Sequence, residues 1–464
     1  MIQEKSNLKS KYSMEKKGNA FKEYPEYKIS EFEWLGNIPR HWDTVRLKFI
    51  SSINDESLNK KTDPNLEIEY VDIGNVDKVY GIIDKERMLF KDAPSRARRI
   101  VKEGDVIVST VRTYLKAIAP IDNDNNIVVS TGFAVVRPIE DVSSRFTQYA
   151  LRSSYFIDSV VANSVGVSFP AINTSVLEML PVVIPPNKEQ KMIASFLDRE
   201  TERIDRLIKM QERLIELLEE KRTALISHAV TKGLDPDVEL KDSSFGWLGE
   251  IPEHWDLVPL KYIIKQSPGS IKTGPFGSQL LNSDMQGDEI KVYDQKNVIE
   301  NDFGLGDKYV SKDKYKELKD FQVYPGDILV STRGSIGECM VLPHESEKGI
   351  LHPCLLRVQP DDKKIDTDYL VYFIEESYLS RRQLLSGSNA TTIEVIYSNT
   401  MKELNITLPP ISEQRKIVER IDEKTSQIEK LLEKVGESIA KLEEYRVALI
   451  SAAVTGKIDV RDQV

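Results

Sequence analysis

The chain has 464 residues, 40 % of them hydrophobic, with 64 Lys and Arg against 74 Asp and Glu for a formal net charge of −10. That is room for about three domains with buried cores. The apolar runs fall far short of the roughly 18 residues a membrane span needs, and MIQEKSNLKSKYSMEKKGNA at the start lacks the apolar centre of a secretory signal. Neither Cys339 nor Cys354 sits in a CxxC. Both read as free thiols suited to a reducing cytoplasm, with no metal site implied.

In chain order, residues 1–26 form a polar, lysine-rich tail expected to order only with a partner. Residues 27–186 alternate short β-like runs, such as GDVIVST at 104–110 and NIVVSTGFAVVRP at 126–138, with Gly, Pro, Asn and Asp. This pattern predicts an α+β domain. Within it, residues 85–116 carry nine Lys and Arg against four Asp and Glu, including SRARR at 95–99 and VRTYLK at 111–116. Residues 187–232 are predicted as one long helix. Leu197, Ile204, Gln211, Leu218 and Leu225 recur every seven residues, with Glu200, Leu207, Leu214 and Lys221 interleaved, and sustained spacing of this kind marks a coiled-coil seam. Asn187 and Gln190 fit an N-cap and its reciprocal partner. Gly233 fits the left-handed residue beyond the end.

Residues 233–409 read as a linker and a second mixed domain, with DILVST, CMVLP and LLRVQP as its β-like runs. Residues 410–464 supply a second long helix and a tail. Its stripe is Ile421, Ile428, Val435, Leu442 and Leu449, joined by Leu431 and Tyr445, with Gly456 past the end.

The two halves are copies. WLGNIPRHWDTVRLK at 34–48 recurs as WLGEIPEHWDLVPLK at 247–261, GDVIVST as GDILVST at 326–332, IPPNKEQK as LPPISEQR, and ALISHAVT at 224–231 as ALISAAVT at 448–455. A period near 220 residues is too long for a solenoid and describes two copies of one two-part module. The repeated histidine between proline and tryptophan (His41, His254) has no acidic or cysteine cluster beside it, so the phrase reads as a packing staple at the domain entrance. Glu200 and its counterpart Lys424 have opposite sign, which fits helices that pair with each other. An antiparallel coiled coil of two such helices would be a rod of roughly 60 Å at 1.5 Å per residue.

Two similar domains on a fixed spacer suit duplex DNA, whose half-sites are separated by a distance the protein geometry sets. Basic side chains would neutralise phosphates, and a few would read base edges. In the first domain the candidates are Arg96, Arg98, Arg99, Arg112, Tyr114 and Lys116. In the second they are Thr273, Phe276 and Ser278 in the Gly-bounded IKTGPFGSQ, Lys312 and Lys314 in KYVSKDKYKELK, and Arg333 and Ser335 in STRGSIG. SRARR and KYVSKDKYKELK both precede the repeated GD[VI][IL]VST strand.

The ordered set WLGxIPxHW, GD[IV][LI]VST, PPxxEQ and ALISxAVT, present twice over residues 27–460, resembles the specificity subunit of type I restriction–modification enzymes. The resemblance implies two target recognition domains, each reading one half of a bipartite, asymmetric DNA site. It implies that the long helices set the spacer and dock two methyltransferase subunits, and that restriction subunits join the assembly. S-adenosylmethionine, ATP and Mg2+ would belong to those partners, with none in this chain. The frame markers carry over directly. Arg333, Ser335 and the GPFGS loop carry over with the second copy's pattern, whereas the first copy has VRTYLK where the second has RGSIGE.

No catalytic residue is expected. The chain has no GxxxxGK[ST] and no GxGxxG after a strand, and its PP dipeptides lack the flanking acid or amide and the aromatic that would hold a flipped base. Three other readings stay open on the sequence: a stand-alone nuclease or methyltransferase of unfamiliar type, the DNA-targeting subunit of another methyltransferase-based defence system, and a coiled-coil scaffold joining two protein-binding modules.

Overall fold

The structure, a computed structural model, describes residues 21–32, 35–123, 126–246, 248–276, 278–386 and 395–463. Trp34 and Trp247 of the repeated phrase, Gly277 of the GPFGS loop and most of the N-terminal tail lie outside these. The chain is a mixture of sheet and helix that divides into two units. Unit 1 comprises residues 1–211 and 436–464, and unit 2 residues 212–435. The division falls inside both long helices, not at their ends, because the two halves of each helix bury their apolar faces in different cores. No helix among the described residues is long and apolar enough to cross a membrane.

Unit 1 holds two four-stranded sheets. The strands of these two sheets are β1 (Ser51–Ile53), β2 (Glu67–Val71), β3 (Glu86–Leu89), β4 (Ala97–Ile100), β5 (Val106–Ser109), β6 (Ile118–Pro120), β7 (Ile127–Ser130) and β8 (Phe133–Pro138). The sheet orders are β6-β5-β8-β1 and β3-β2-β7-β4, with β2 and β7 parallel and the other pairs antiparallel. The unbroken apolar run of GDVIVST is explained at β5. Side chains alternate across a strand, so Val106 and Val108 enter one core cluster and Ile107 another, and all three are fully buried. The preceding Gly104 takes φ +92°, and Asp105 is a buried carboxylate. Asp105 accepts the Lys102 N–H at 2.8 Å and two Arg137 bonds at 3.0 and 2.8 Å.

The four-stranded sheets of unit 2 are built from β9 (Ile271–Thr273), β10 (Ile290–Tyr293), β11 (Tyr309–Val310), β12 (Gln322–Val323), β13 (Ile328–Ser331), β14 (Cys339–Val341), β15 (Gly349–Leu351) and β16 (Leu355–Val358). Their orders, β9-β16-β13-β14 and β11-β10-β15-β12 with β10 and β15 parallel, repeat those of unit 1 strand for strand. Asp327 takes the place of Asp105. It accepts the Tyr324 N–H at 2.9 Å and a Gln359 bond at 2.8 Å, and burial raises its carboxyl above the usual carboxylate range.

The two long helices are α1 (Asn187–Lys232) and α2 (Ile411–Val454). In unit 1, Ile193, Leu197, Ile204 and Ile208 of α1 share a core with Leu449, Ile450 and Val454 of α2. Asp205 receives the Arg446 guanidinium at 2.8 Å, and the Gln211 side-chain amide reaches the Ser438 hydroxyl at 3.0 Å. Numbers rise along α1 as they fall along α2. In unit 2, Ile226 and Val230 of α1 share a core with Ile417 and Ile421 of α2.

Two expectations about the helices need correction. Leu207, Leu214 and Leu431, placed in the seam, are 40, 43 and 48 % exposed. Residues three and four on from a given position share its face but fall on its two flanks, and here the buried sector takes the four-residue flank. Thr201, Ile208 and Thr425 are buried there, beside Leu197, Ile204, Ile421, Ile428 and Leu449. Leu218, Leu225, Val435 and Leu442 are half-buried. The start of α1 also differs. The Pro186 carbonyl accepts the Glu189 and Gln190 N–H groups, Asn187 bonds the Asp141 carbonyl at 2.7 Å, and Gln190 bonds the Pro185 carbonyl at 2.9 Å while accepting the Ser143 N–H at 2.9 Å. A proline carbonyl therefore opens the helix, and the two side chains tie it to its domain.

Residues 21–26, assigned to the tail by the sequence, are part of unit 1. Lys22 pairs with Asp459 in a β-bridge, Tyr24 is buried edge-on to Trp42, and the Tyr27 hydroxyl donates to the Gly456 carbonyl at 3.1 Å. Tyr24 has the apolar ring that a tail of lysines lacks, and the Trp42 core takes it up.

Candidate nucleic-acid interface

The repeated phrases meet in space. In unit 1 the Trp42 indole donates to Glu189 of PNKEQK at 2.9 Å, and the His41 ring lies 2.9 Å from the same oxygen. In unit 2, Trp255 donates to Glu413 of PISEQR at 3.1 Å, with His254 at 2.8 Å. The third phrase closes the joint. A Cβ on Gly456 would collide with Pro39 and reach Trp42, and one on Gly233 would press on Trp255 at 3.2 Å. Both glycines are left-handed, at φ +70° and +79°. The end of α2 therefore packs on the first phrase, and the end of α1 on the second. This frame positions the sheets and leaves the ends of β5 and β13 free to vary.

The loops that follow those strands have one construction. Ser109 and Ser331 close the turn on the carbonyls of Val111 and Arg333 at 2.5 and 3.3 Å. Thr110 and Thr332 bond the carbonyls of Gly132 and Cys354 at 2.9 and 2.8 Å. Each loop has two left-handed residues. In unit 2 they are Gly334 and Gly337, at φ +69° and +88°, where glycine carries no penalty. In unit 1 the same two places hold Arg112 and Lys116, at φ +52° and +55°. Each costs about 1–2 kcal/mol relative to an unstrained residue. Strain retained at basic residues on an exposed loop points to use of those side chains.

The sequence candidates sort around these loops. Arg112 stacks over the Phe169 ring at 5.3 Å and has no carboxylate partner among the described residues. Tyr114 is exposed, and Lys116 lies 3.5 Å from Asp158. Arg96 joins this edge through backbone bonds, since its carbonyl accepts the Thr131 N–H beside the Gly132–Thr110 bond. Its guanidinium is engaged by Asp72 at 2.5 Å and the Tyr70 hydroxyl at 3.1 Å. Arg98 covers the Phe90 ring at 4.9 Å and donates to the Ala97 carbonyl. The Arg99 Nε is buried without a hydrogen-bond partner. The basic excess of 85–116 is thus partly cancelled by carboxylates from other strands. Arg87 pairs with Glu67 at 2.7 Å, and Lys85 with Glu69 at 3.0 Å.

In unit 2, Arg333 is exposed and its guanidinium has no hydrogen bond or ion pair among the described residues, while Ser335 is half-buried beside it. Thr273 shares a hydrogen bond with Ser398 at 2.5 Å, and Phe276 and Ser278 are exposed. The GPFGS loop is pinned at its root. The Gly274 N–H donates to Leu355 at 2.8 Å, and a Cβ there would collide with the His352 carbonyl. No bond among the described residues draws Lys312 and Lys314 to this edge. Lys312 pairs with Glu289 at 3.0 Å, and Lys314 with Glu317 at 3.1 Å.

The structure adds residues the sequence reading did not name. The Gln295 amide donates to the Arg333 carbonyl at 2.6 Å and stands 3.3 Å from where a Gly334 Cβ would lie, so it braces the loop. Asp294 and Lys308 pair at 2.6 Å. Burial, and then the nearby Lys308, pushes the His352 imidazole down to about 4, so it is neutral near pH 7 and its Nδ1 accepts the Cys354 N–H at 3.2 Å. Nothing in YDQKN marks Gln295 locally. Its role depends on a contact 38 residues away.

The family described as the type I restriction modification DNA specificity domain matches residues 39–220 and 280–438. The chain is 25 % identical over 458 residues to the type I restriction enzyme MjaVIII specificity subunit of Methanocaldococcus jannaschii, covering 95 % of this chain and 98 % of that protein. It is 21 % identical over 447 residues to the StySPI specificity subunit of Salmonella potsdam, covering 91 and 90 %. A chain from a solved structure of a type I R-M system superposes with a TM-score of 0.66 at 24 % identity, covering 91 % of this chain and 99 % of that one, and so has the same fold. With its repeated frame and two loops that differ between the copies, the chain belongs to the type I restriction–modification DNA specificity family, as a specificity subunit.

Proposed function

We propose that the chain is the non-catalytic component that chooses the DNA site for a type I restriction–modification complex. Unit 1 reads one half of a bipartite, asymmetric sequence with the loop after β5, and unit 2 reads the other half with the loop after β13. The helices α1 and α2 pair as an antiparallel coiled coil, set the spacer between half-sites and dock two methyltransferase subunits. Restriction subunits complete the assembly in the cytoplasm, and the partners supply S-adenosylmethionine, ATP and Mg2+.

The observation that carries this reading is the pair of loops. They share strand, closing hydrogen bonds and left-handed positions, yet differ in nearly every side chain offered to solvent. Such a design keeps the scaffold and changes the sequence that is read. An exposed apolar stripe on α1, Leu207, Met210, Leu214 and Leu217, supports a protein partner on that helix.

The test is a methylation map of DNA from cells carrying this chain with a cognate methyltransferase, with and without a seven-residue insertion after Leu207 and another opposite it in α2. Two turns add about 10 Å, or about three base pairs at 3.4 Å each. The expected result is unchanged half-sites with a longer spacer. An unchanged spacer in a folded variant refutes the ruler, and a motif that persists when the chain is deleted refutes the adaptor.

A further inference from the structure

Unit 1 exposes an apolar hairpin beside its reading loop. Val165, Val167 and Phe169 are 80, 102 and 64 % exposed. The hairpin is held firmly. Val165 and Ala171 exchange backbone bonds at 2.8 and 2.9 Å, and Gly166 at φ +120° turns the chain, where a Cβ would press on the Phe169 carbonyl at 3.1 Å. It is fastened to the β5 loop at several points. Ala171 bridges Val111, the Ile172 N–H donates to the Thr110 carbonyl at 2.9 Å, the Thr113 N–H donates to the Pro170 carbonyl, and the Thr113 and Ser164 hydroxyls bond at 2.7 Å. Tyr114 and Leu115 are exposed alongside. A braced apolar tip in water is not explained by packing within the chain.

The charge around the tip selects its occupant. Arg112, held in a strained conformation and free of carboxylates among the described residues, stacks directly on Phe169, and Lys116, 3.5 Å from the exposed Asp158, follows one turn later. Guanidinium and ammonium groups at the root of an apolar projection suit a polyanion whose interior is apolar. Stacked base pairs between phosphate chains have that character, and apolar wedges flanked by Arg or Lys open base steps in other DNA complexes. We propose that Val167 and Phe169 insert at one base step within or beside the first half-site, with Arg112 and Lys116 on the adjacent phosphates. The first half-site would then be read in part through how easily that step unstacks, which favours a flexible pyrimidine–purine step.

This inference rests on unit 1 reading DNA, so the test separates the two. The full chain, with its methyltransferase, is titrated with duplexes carrying the mapped target and 2-aminopurine at each position in turn except the methylated adenines. The expected result is a several-fold fluorescence rise at a single step for the wild type, lost in Val167→Ser/Phe169→Ser with about tenfold weaker binding. Both substituted side chains are exposed, so the variant should fold, and its melting temperature checks this. If the wild type binds its target and no step unstacks, or the variant binds equally well, the wedge is wrong while the reading of DNA stands. If the variant loses co-elution with the methyltransferase instead, the tip is a protein-docking surface and the proposal falls. If the wild type binds no target, the functional reading itself fails.

Discussion

Replacing Glu189 by alanine should destabilise unit 1 far more than the equivalent change at Glu413 destabilises unit 2. The Trp42 indole N–H has Glu189 as its hydrogen-bond partner, and the tryptophan is fully buried. Removing the carboxylate leaves that donor unsatisfied, which costs about 1–3 kcal/mol, with the upper end apt for a lost charged acceptor. The Glu189 side chain is only 7 % exposed, so water cannot readily replace it. Trp255 is fully buried too, but the Glu413 side chain is 30 % exposed, so water can more readily take the place of the lost carboxylate. The expected losses are about 2–3 kcal/mol for Glu189→Ala and about 1 kcal/mol for Glu413→Ala. At roughly 2–4 °C per kcal/mol for units of 150–250 residues, Glu189→Ala lowers the unit 1 transition by about 5–10 °C. Scanning calorimetry gives the shifts, and urea unfolding gives the free energies. A Trp42→Phe/Glu189→Ala double variant removes the orphaned donor and should lose less than the two single variants added together. A Glu189→Ala transition within about 0.5 kcal/mol of wild type, too small for a buried orphan donor, would refute the account of why the two phrases recur together.

Arg112→Gly should raise the melting temperature of unit 1, because glycine relieves about 1 kcal/mol of left-handed strain, and should weaken binding of the first half-site, both read on the same preparation. Arg333→Ala should relax one base position of the second half-site by about 1–3 kcal/mol, measured as methylation across single-base variants, whereas equal weakening at all sequences would make it a phosphate contact. Burial, and then the neighbouring Glu338 and Glu376, pushes the Glu375 carboxyl up to about 8. The folded state thus keeps a proton that the unfolded chain gives up near 4.5, so this group's contribution to stability is fully present at acid pH and is lost as pH rises to about 8. Glu375→Gln should flatten that part of the stability profile of unit 2, as followed by urea unfolding at pH 5 and pH 8.

Much of the frame was legible because it is written twice. GDVIVST and GDILVST are strands buried on both faces, and their glycines and aspartates build the turn that precedes them. What was not legible depended on distance or on backbone angles. The acids that neutralise part of the basic stretch 85–116 come from elsewhere in the chain, with Glu67 on Arg87, Glu69 on Lys85 and Asp72 on Arg96 of SRARR, and no local count of charge includes them. A left-handed Arg112 carries no mark in its side chain, and only the alignment with Gly334 exposes it. The stripe on α1 held two equally apolar interleaved sets, three or four residues on, and the core selected the second. The hairpin closed by Val165 and Ala171 has no mark in the sequence, because SVGVSFP reads as an ordinary apolar run until its tip is seen in water.

The clasp between Lys22 and Asp459 bears on biosynthesis. Unit 2 is one continuous stretch of chain, while unit 1 draws residues from both sides of it. At roughly 5–20 residues per second, about 10–45 s separate emergence of Gln211 from that of Gly436. During that interval Trp42 lacks the helix end that seals it, and the apolar face of α1 at Ile204 and Ile208 has no partner. Transiently exposed apolar surface of this kind is what chaperones engage, and unit 1 is complete only after translation through both halves. The completeness of the chain is thereby written into the order of its sequence: a chain interrupted between the halves leaves unit 1 on a scaffold that cannot close.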